Sequence, residues 1–157
     1  MVRIGGDEGN TGLGRSEAFG PLAVLLIGFM EDEVDKFKGL MVSMDADMVK
    51  IVPCSPALMA GTLQAAVESQ YPQWLPPKLG QRRVVVLSGM YGSEVVEVVS
   101  AYRDSDLPPA VFAAAVPNNY QRQVDELVSE VVFENNAMVY IYIYIYVTVP
   151  FESATEA

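Results

Sequence analysis

Histidine is absent from this 157-residue chain, and cysteine occurs once, as Cys54. Without histidine the chain has no Ser-His or Cys-His catalytic dyad, no imidazole metal ligand and no side chain that ordinarily titrates near neutral pH. A single cysteine forms neither an internal disulfide nor a thiolate zinc site. These absences exclude most familiar hydrolases, and we expect no catalytic residues, no metal and no cofactor.

Basic residues are also scarce, because 10 Lys and Arg stand against 20 Asp and Glu, for a net charge of −10 at pH 7. A field of this sign repels phosphate backbones and anionic lipid surfaces, so we predict no nucleic-acid partner. Charged side chains make up 19% of the chain and hydrophobic ones 51%. That composition is typical of a folded globular domain, and the length suits one domain with its own core.

Long apolar runs are missing from the first half, where the longest covers residues 22–30 and is followed at once by Glu31, Asp32 and Glu33. This run is too short to cross a bilayer as a helix, and the opening residues carry no signal-peptide pattern. We therefore expect no membrane span, a flexible leader over residues 1–20 and a soluble intracellular protein, located in the cytoplasm or the plastid stroma.

The last part of the chain has an unusual repeat, Val-Tyr-Ile-Tyr-Ile-Tyr-Ile-Tyr-Val over residues 139–147. Its two-residue period is typical of a strand. The codons TAT and ATA also encode Tyr and Ile, so a translated TA repeat from a non-coding region gives the same pattern, and we favour that interpretation over a genuine edge strand. We accordingly divide the chain into the leader, an α/β domain over residues 21–136 and an atypical tail over residues 137–157.

Between these ends, apolar runs alternate with helical patterns, as in a parallel sheet with crossover helices. The predicted strands lie at residues 23–29, 48–54, 83–90 and 110–116, and the predicted helices at about residues 32–44, 55–69, 93–104 and 119–133. This pattern predicts a single α/β domain with a four-stranded, mostly parallel sheet flanked by helices, Rossmann-like and in the strand order two-one-three-four. A ferredoxin-like α+β arrangement is the alternative.

The chain also shows an internal repeat. The offset that places Gly28 on Gly89 also places Glu33 on Glu94 and Asp45 on Asp106, strand on strand and helix on helix. We predict two related βαβ halves.

Residues 84–131 carry a specific succession of short motifs: Leu87-Ser88-Gly89-Met90, Leu107-Pro108-Pro109 and Pro117-Asn118-Asn119. This succession resembles the uncharacterised domain-of-unknown-function family number 3783 of bacteria and plants, whose members look like strand, small-Gly turn, helix, Pro-Pro turn, strand, Thr-Pro-x-Asn turn and final helix. Val116 stands at the threonine of that pattern and Asn119 at its asparagine. The resemblance implies an architecture and no established activity.

The glycine-rich turn over residues 88–93 is the first candidate ligand site, because ligands of open parallel sheets lie beyond the carboxyl ends of the strands. Its candidate binding residues, together with the asparagine of the later turn, are Ser88, Gly89, Gly92, Ser93 and Asn119. Backbone N–H groups at a helix start suit a phosphate or a carboxylate. A purely structural turn with Ser93 as helix cap is the favoured alternative, since no Walker lysine and no complete Gly-x-Gly-x-x-Gly is present.

Three weaker candidates remain. Cys54 precedes a helix start, where a redox role is conceivable, but we favour a buried apolar side chain. The acids of residues 31–35 are a possible magnesium site, but we favour solvated helix-start acids. Lys78, Arg82 and Arg83 form the one basic cluster, which suits a single anion or an acidic partner, and Trp74 nearby is either a packing anchor or a contact residue.

Together these features indicate a non-catalytic protein-interaction or scaffold module that binds an unidentified protein partner. The alternative is a small-anion binding protein or enzyme that uses the glycine-rich turn.

Overall fold

The computed structural model describes residues 18–70 and 72–137. The strands are β1 (Ala23–Ile27), β2 (Lys50–Pro53), β3 (Val84–Ser88) and β4 (Val111–Ala114). The helices are α1 (Glu31–Ser43), α2 (Pro56–Met59), α3 (Leu63–Val67), α4 (Gly92–Asp104) and α5 (Val124–Ala137). The predicted tail from residue 138 and the first seventeen residues of the predicted leader lie outside the described residues.

The four strands form one sheet in the order β2-β1-β3-β4. Strand β1 pairs in parallel with β2, and β3 pairs in parallel with β4. The predicted α/β class, strand order and mostly parallel sheet are therefore confirmed. The ferredoxin-like alternative requires a strand inserted between the two parallel strands of each βαβ unit, whereas β1 and β2 are direct hydrogen-bonded neighbours.

The central pair of the sheet is antiparallel, which is where this sheet differs from a doubly wound one. Ala23 lies opposite Ser88, and Ile27 lies opposite Val84. The offset that places Gly28 on Gly89 exchanges these two pairs, so a pseudo-two-fold axis passes between Leu25 and Val86. Two βαβ units that meet edge to edge across a two-fold axis must pair antiparallel, and this relation sets the direction of β3.

The same offset maps β1 onto β3, α1 onto α4 and β2 onto β4, residue for residue and without a gap. The predicted repeat is thus present in the structure. Each half is one βαβ unit, with its crossover helix between its two strands.

Helices cover both faces of the sheet, which is why every residue of β1 and β3 is buried. Val24 and Leu26 face α1 and α4 in one core cluster, whereas Leu25 and Ile27 face the side of α3 and α5 in a second cluster. The side chains alternate between two covered faces, as expected for strands that read as continuous apolar runs.

The helix predicted for residues 55–69 is split into α2 and α3. Ser55 caps α2 as predicted, because its hydroxyl accepts a hydrogen bond from the Leu58 N–H. At the break, the Leu63 N–H donates to the Arg122 carbonyl and the Val124 N–H donates to the Gly61 carbonyl, both at 2.9 Å. The pseudo-two-fold axis relates these two hydrogen bonds to each other. They interrupt the helix predicted for residues 55–69, and α5 begins only at Val124.

Glycine is required at two equivalent positions, Gly28 and Gly89, which have φ angles of +82° and +75°. A Cβ atom on Gly89 would lie 2.6 Å from the Pro21 carbonyl oxygen, and one on Gly28 would lie 2.5 Å from the Arg82 carbonyl oxygen. Each turn thus packs against the backbone that leads into the antiparallel neighbour.

We predict that Gly89→Ala lowers the free energy of unfolding by about 1 to 3 kcal/mol, because the new side chain is strained and meets backbone atoms. Gly39→Ala is the control, since a Cβ atom at this exposed site in α1 meets nothing within 4 Å. It should raise the free energy of unfolding by about 0.5 to 1 kcal/mol. Urea denaturation measures both, and a Gly89→Ala protein as stable as the wild type would contradict the packing described above.

Candidate functional site

Because the two central strands are antiparallel, the turn after β1 and the turn after β3 lie at opposite ends of these strands. The two turns therefore form no common crevice of the kind that binds ligands in doubly wound sheets. Each turn instead packs against neighbouring chain. The Gly89 N–H donates to the Phe19 carbonyl at 2.8 Å, and a Cβ atom on Gly28 would lie 2.5 Å from the Arg82 carbonyl oxygen.

Ser88 is the last residue of β3 and is 0% exposed. Its hydroxyl has no hydrogen-bond partner among the described residues. A Cβ atom on Gly20 would lie 2.6 Å from the Ser88 Oγ, so Gly20 covers this hydroxyl closely. The ring of Phe19 packs edge-on against Tyr120, with centroids 4.9 Å apart. Residues 19 and 20, which fall within the predicted leader, therefore pack on the domain and cover the glycine-rich turn.

The start of α4 depends on Glu94 rather than on Ser93. Tyr91 is the N-cap residue, and its N–H donates to a Glu94 carboxylate oxygen at 2.8 Å. Ser93 is the second residue of α4, so it does not hold the N-cap position that the structural interpretation of the turn expected. Glu33 does the same for Met30 in α1, at 2.9 Å. The sequence signal for this capping role was the repeat that places Glu33 on Glu94.

Gly89 and Gly92 line a cavity of about 330 Å³ at the carboxyl ends of β3 and β4. Its other lining groups include Phe19, Met90 and Val116, and none of the lining side chains is charged or carries a hydroxyl. Ser88 and Ser93 do not line it. The structure thus brings together two of the five predicted binding residues, in an apolar setting.

Asn119 lies in a separate turn, after β4, where both ends of its amide are used. Its Oδ1 accepts from the Val116 N–H at 2.9 Å, and its Nδ2 donates to the Ala114 carbonyl at 3.0 Å. The asparagine of the Thr-Pro-x-Asn pattern therefore closes the turn that connects β4 to the chain leading into α5.

Cys54 is buried at the end of β2, and this burial raises the pKa of its thiol to about 12. A thiol that stays protonated at neutral pH is a poor nucleophile, which supports the packing interpretation.

Among the acids, Glu33 is engaged by Arg83 at 2.9 and 3.0 Å, and this hydrogen bonding holds the pKa of Glu33 below its ordinary value. Residues 18–70 and 72–137 contain no group of three acidic or cysteine side chains that would hold a metal.

The basic cluster is divided by the fold. Arg83 turns to Glu33, whereas Lys78 and Arg82 are exposed. The Trp74 Nε1 donates to the Phe29 carbonyl at 2.8 Å, so this tryptophan is a packing anchor.

No helix within the described ranges has the length and apolar character needed to cross a bilayer.

Lys78 and Arg82 lie along an open groove of about 520 Å³, which we call the basic groove. Its lining residues come from the segment before β3 and from the middle of α5: Lys78, Leu79, Gly80, Gln81, Arg82, Val128, Ser129, Val132 and Phe133. Leu79 is 99% exposed and Phe133 is 69% exposed. Neither residue was predicted from the sequence as part of a site. Phe133 falls outside the apolar stripe of the last predicted helix, and this position was a signal for an outward-facing ring.

We predict that Asn119→Ala lowers the free energy of unfolding by about 1 to 2 kcal/mol, because two backbone groups lose their partner. Asn118→Ala is the matched control, since Asn118 is exposed and should tolerate the change. Thermal or urea unfolding compares the two variants. Equal stabilities would show that the Asn119 amide is dispensable for the turn.

Ser88→Ala should leave the free energy of unfolding unchanged or raise it by up to about 1 kcal/mol, because the change removes a buried hydroxyl that lacks a partner in the described structure. Melting curves with and without inorganic phosphate test both interpretations of the turn. We expect the same response to phosphate from wild type and variant. A phosphate-induced stabilisation that disappears in Ser88→Ala would place an anion site at this turn.

No curated protein and no solved structure shows a significant match to this chain. A family model does match, over residues 83–138, which extend from the residue before β3 to the residue after α5. The matching model is that of the domain of unknown function DUF3783, so the resemblance noted from the motifs is confirmed over that segment.

Proposed function

We propose that this protein is a non-catalytic interaction module. Its basic groove binds a segment of a partner protein in which acidic residues flank a large apolar residue. One observation carries the proposal. Leu79 and Phe133 are the two most exposed large apolar side chains of the described residues, and both line the same groove.

The apolar contribution to such binding is substantial. Burying a side chain of the size of leucine or phenylalanine contributes about 1.5 to 3 kcal/mol. Two such side chains on one groove are enough to anchor a short segment, because a few buried anchors supply most of the energy of an interface.

The charge of the groove selects the partner. Lys78 and Arg82 form no ion pair among the described residues, whereas the neighbouring Arg83 is neutralised by Glu33. The chain as a whole carries a net charge of −10. A partner segment with Glu or Asp beside a large apolar residue therefore meets two cations here and repulsion over most of the remaining surface.

The small-anion alternative receives less support. The N–H of Gly89 already binds the Phe19 carbonyl, and the cavity beside Gly89 and Gly92 is lined by apolar side chains. Both observations favour packing as the role of the glycine-rich turn.

The test uses synthetic peptides in which a Leu or a Phe is flanked by Glu, together with counterparts flanked by Lys. Fluorescence anisotropy measures their affinity for the full-length chain. We expect the Glu-flanked peptides to bind more tightly, with an affinity that falls as ionic strength rises. Leu79→Ser and the pair Lys78→Glu with Arg82→Glu should each weaken binding by about tenfold or more, a loss of about 1.4 kcal/mol.

Matched controls lie on other surfaces. Met48→Ser changes a side chain that is 58% exposed, and Lys38→Glu reverses an exposed charge on α1. Neither should change peptide affinity. Equal binding of the Glu-flanked and Lys-flanked peptides, or equal loss in the groove and control variants, would refute the proposal.

A further inference from the structure

A second cavity, of about 260 Å³, lies between the β3-β4 side of the sheet and α5. Most of its wall is apolar, formed by Leu63, Val84, Val86, Ala113, Val124, Leu127, Val128 and Val131. The polar side chains at its rim are those of Asn118, Asn119, Arg122 and Glu130. A cavity of about 150 Å³ with an apolar lining is enough to bind benzene, so this one has room for an aromatic ring with a substituent.

The pseudo-two-fold axis explains why the space exists on this side. The residue equivalent to Ala113 in the first half is Val52, and the residue equivalent to Val86 is Leu25. Val52 and Leu25 are both 0% exposed and fill the corresponding face of the sheet. Smaller side chains at two equivalent positions in the second half thus leave room beneath α5.

Three of these four polar side chains, those of Arg122, Glu130 and Asn119, are already engaged within the protein. Arg122 donates to both carboxylate oxygens of Glu130, at 3.1 and 3.0 Å, and the amide of Asn119 binds its own turn. The carboxylate of Glu130 offsets the positive charge of Arg122. The interior therefore offers apolar contact, which suits an uncharged ligand and disfavours one that carries a carboxylate or a phosphate.

We propose that this cavity is a binding site for a small uncharged apolar molecule, of the class of a single aromatic ring or a fused pair of rings. The site shares only Val128 with the lining of the basic groove, and it does not depend on the function proposed for that groove. All of its lining residues except Leu63 belong to the segment that matches the family model.

The experiment uses the full-length chain with indole and toluene as probes and benzoate as the charged analogue of toluene. Indole near its solubility limit should raise the melting temperature by about 2 °C or more, since a ligand that binds only the folded state stabilises it. Toluene should do the same, and benzoate should not. Stabilisation by benzoate and not by toluene would overturn the apolar class of ligand, and no shift with either indole or toluene would overturn the site.

Ala113→Val introduces the side chain that the first half carries at the equivalent position, and it should fill part of the cavity. We expect this variant to lose indole affinity by at least about fivefold. Ala65→Val makes the same change at an exposed site on α3 and should bind indole like the wild type. Unchanged affinity in a folded Ala113→Val protein would contradict the assignment.

Methyl NMR of the wild type locates the site without a variant, and so covers the case in which Ala113→Val fails to fold. Titration with indole should shift the methyl resonances of Val86, Leu127 and Val131, which line the cavity. Val42 on α1 is 60% exposed and far from α5 in the fold, so its methyls should not move. Shifts spread over the surface, or confined to Val132 in the basic groove, would refute binding in the cavity.

Discussion

The antiparallel hydrogen bonding of β1 with β3 is the interaction on which the rest of the structure depends. It joins two βαβ units across a pseudo-two-fold axis, and each unit supplies one edge strand and one crossover helix. It also places the two glycine turns at opposite ends of the central strands, where each turn packs on the segment that precedes the other central strand. A ligand crevice shared by the two turns is geometrically excluded once this pair is formed.

The sequence predicts the strands because short runs that are apolar on both faces alternate with helical patterns, and it predicts their order from the topology that such an alternation favours. It does not predict the direction of β3. A central strand buries the same faces in either direction, so the apolar pattern of β3, with Val84 and Val86, is the same for a parallel and an antiparallel strand. The break between α2 and α3 was also not predictable from local patterns, because the bonds from Leu63 to Arg122 and from Val124 to Gly61 join residues that are distant in sequence.

The candidate binding residues show the same division between local and long-range information. Glycine at position 89 was correctly expected to serve a tight turn, since a positive φ is a local requirement. The pairing of Asn119 with Val116 is also local, and the Pro-Asn-Asn motif marked that turn. The exposure of Leu79 was not foreseeable, because an apolar residue in a proline-rich segment reads equally well as a buried anchor, which is the role that Trp74 takes.

The two halves share the residues that the fold requires and differ where a surface or a cavity is available. Gly28 and Gly89 serve equivalent turns, and Glu33 and Glu94 cap equivalent helices. The edges differ, because β2 carries Lys50 and Pro53, which discourage further strand pairing, whereas β4 has Val111 and Ala114 at those positions. The small residue Ala113 beside the cavity and the outward ring of Phe133 on α5 also belong to the second half. Both proposed sites therefore depend on departures from the internal symmetry, since residues kept in both halves are explained by the fold itself.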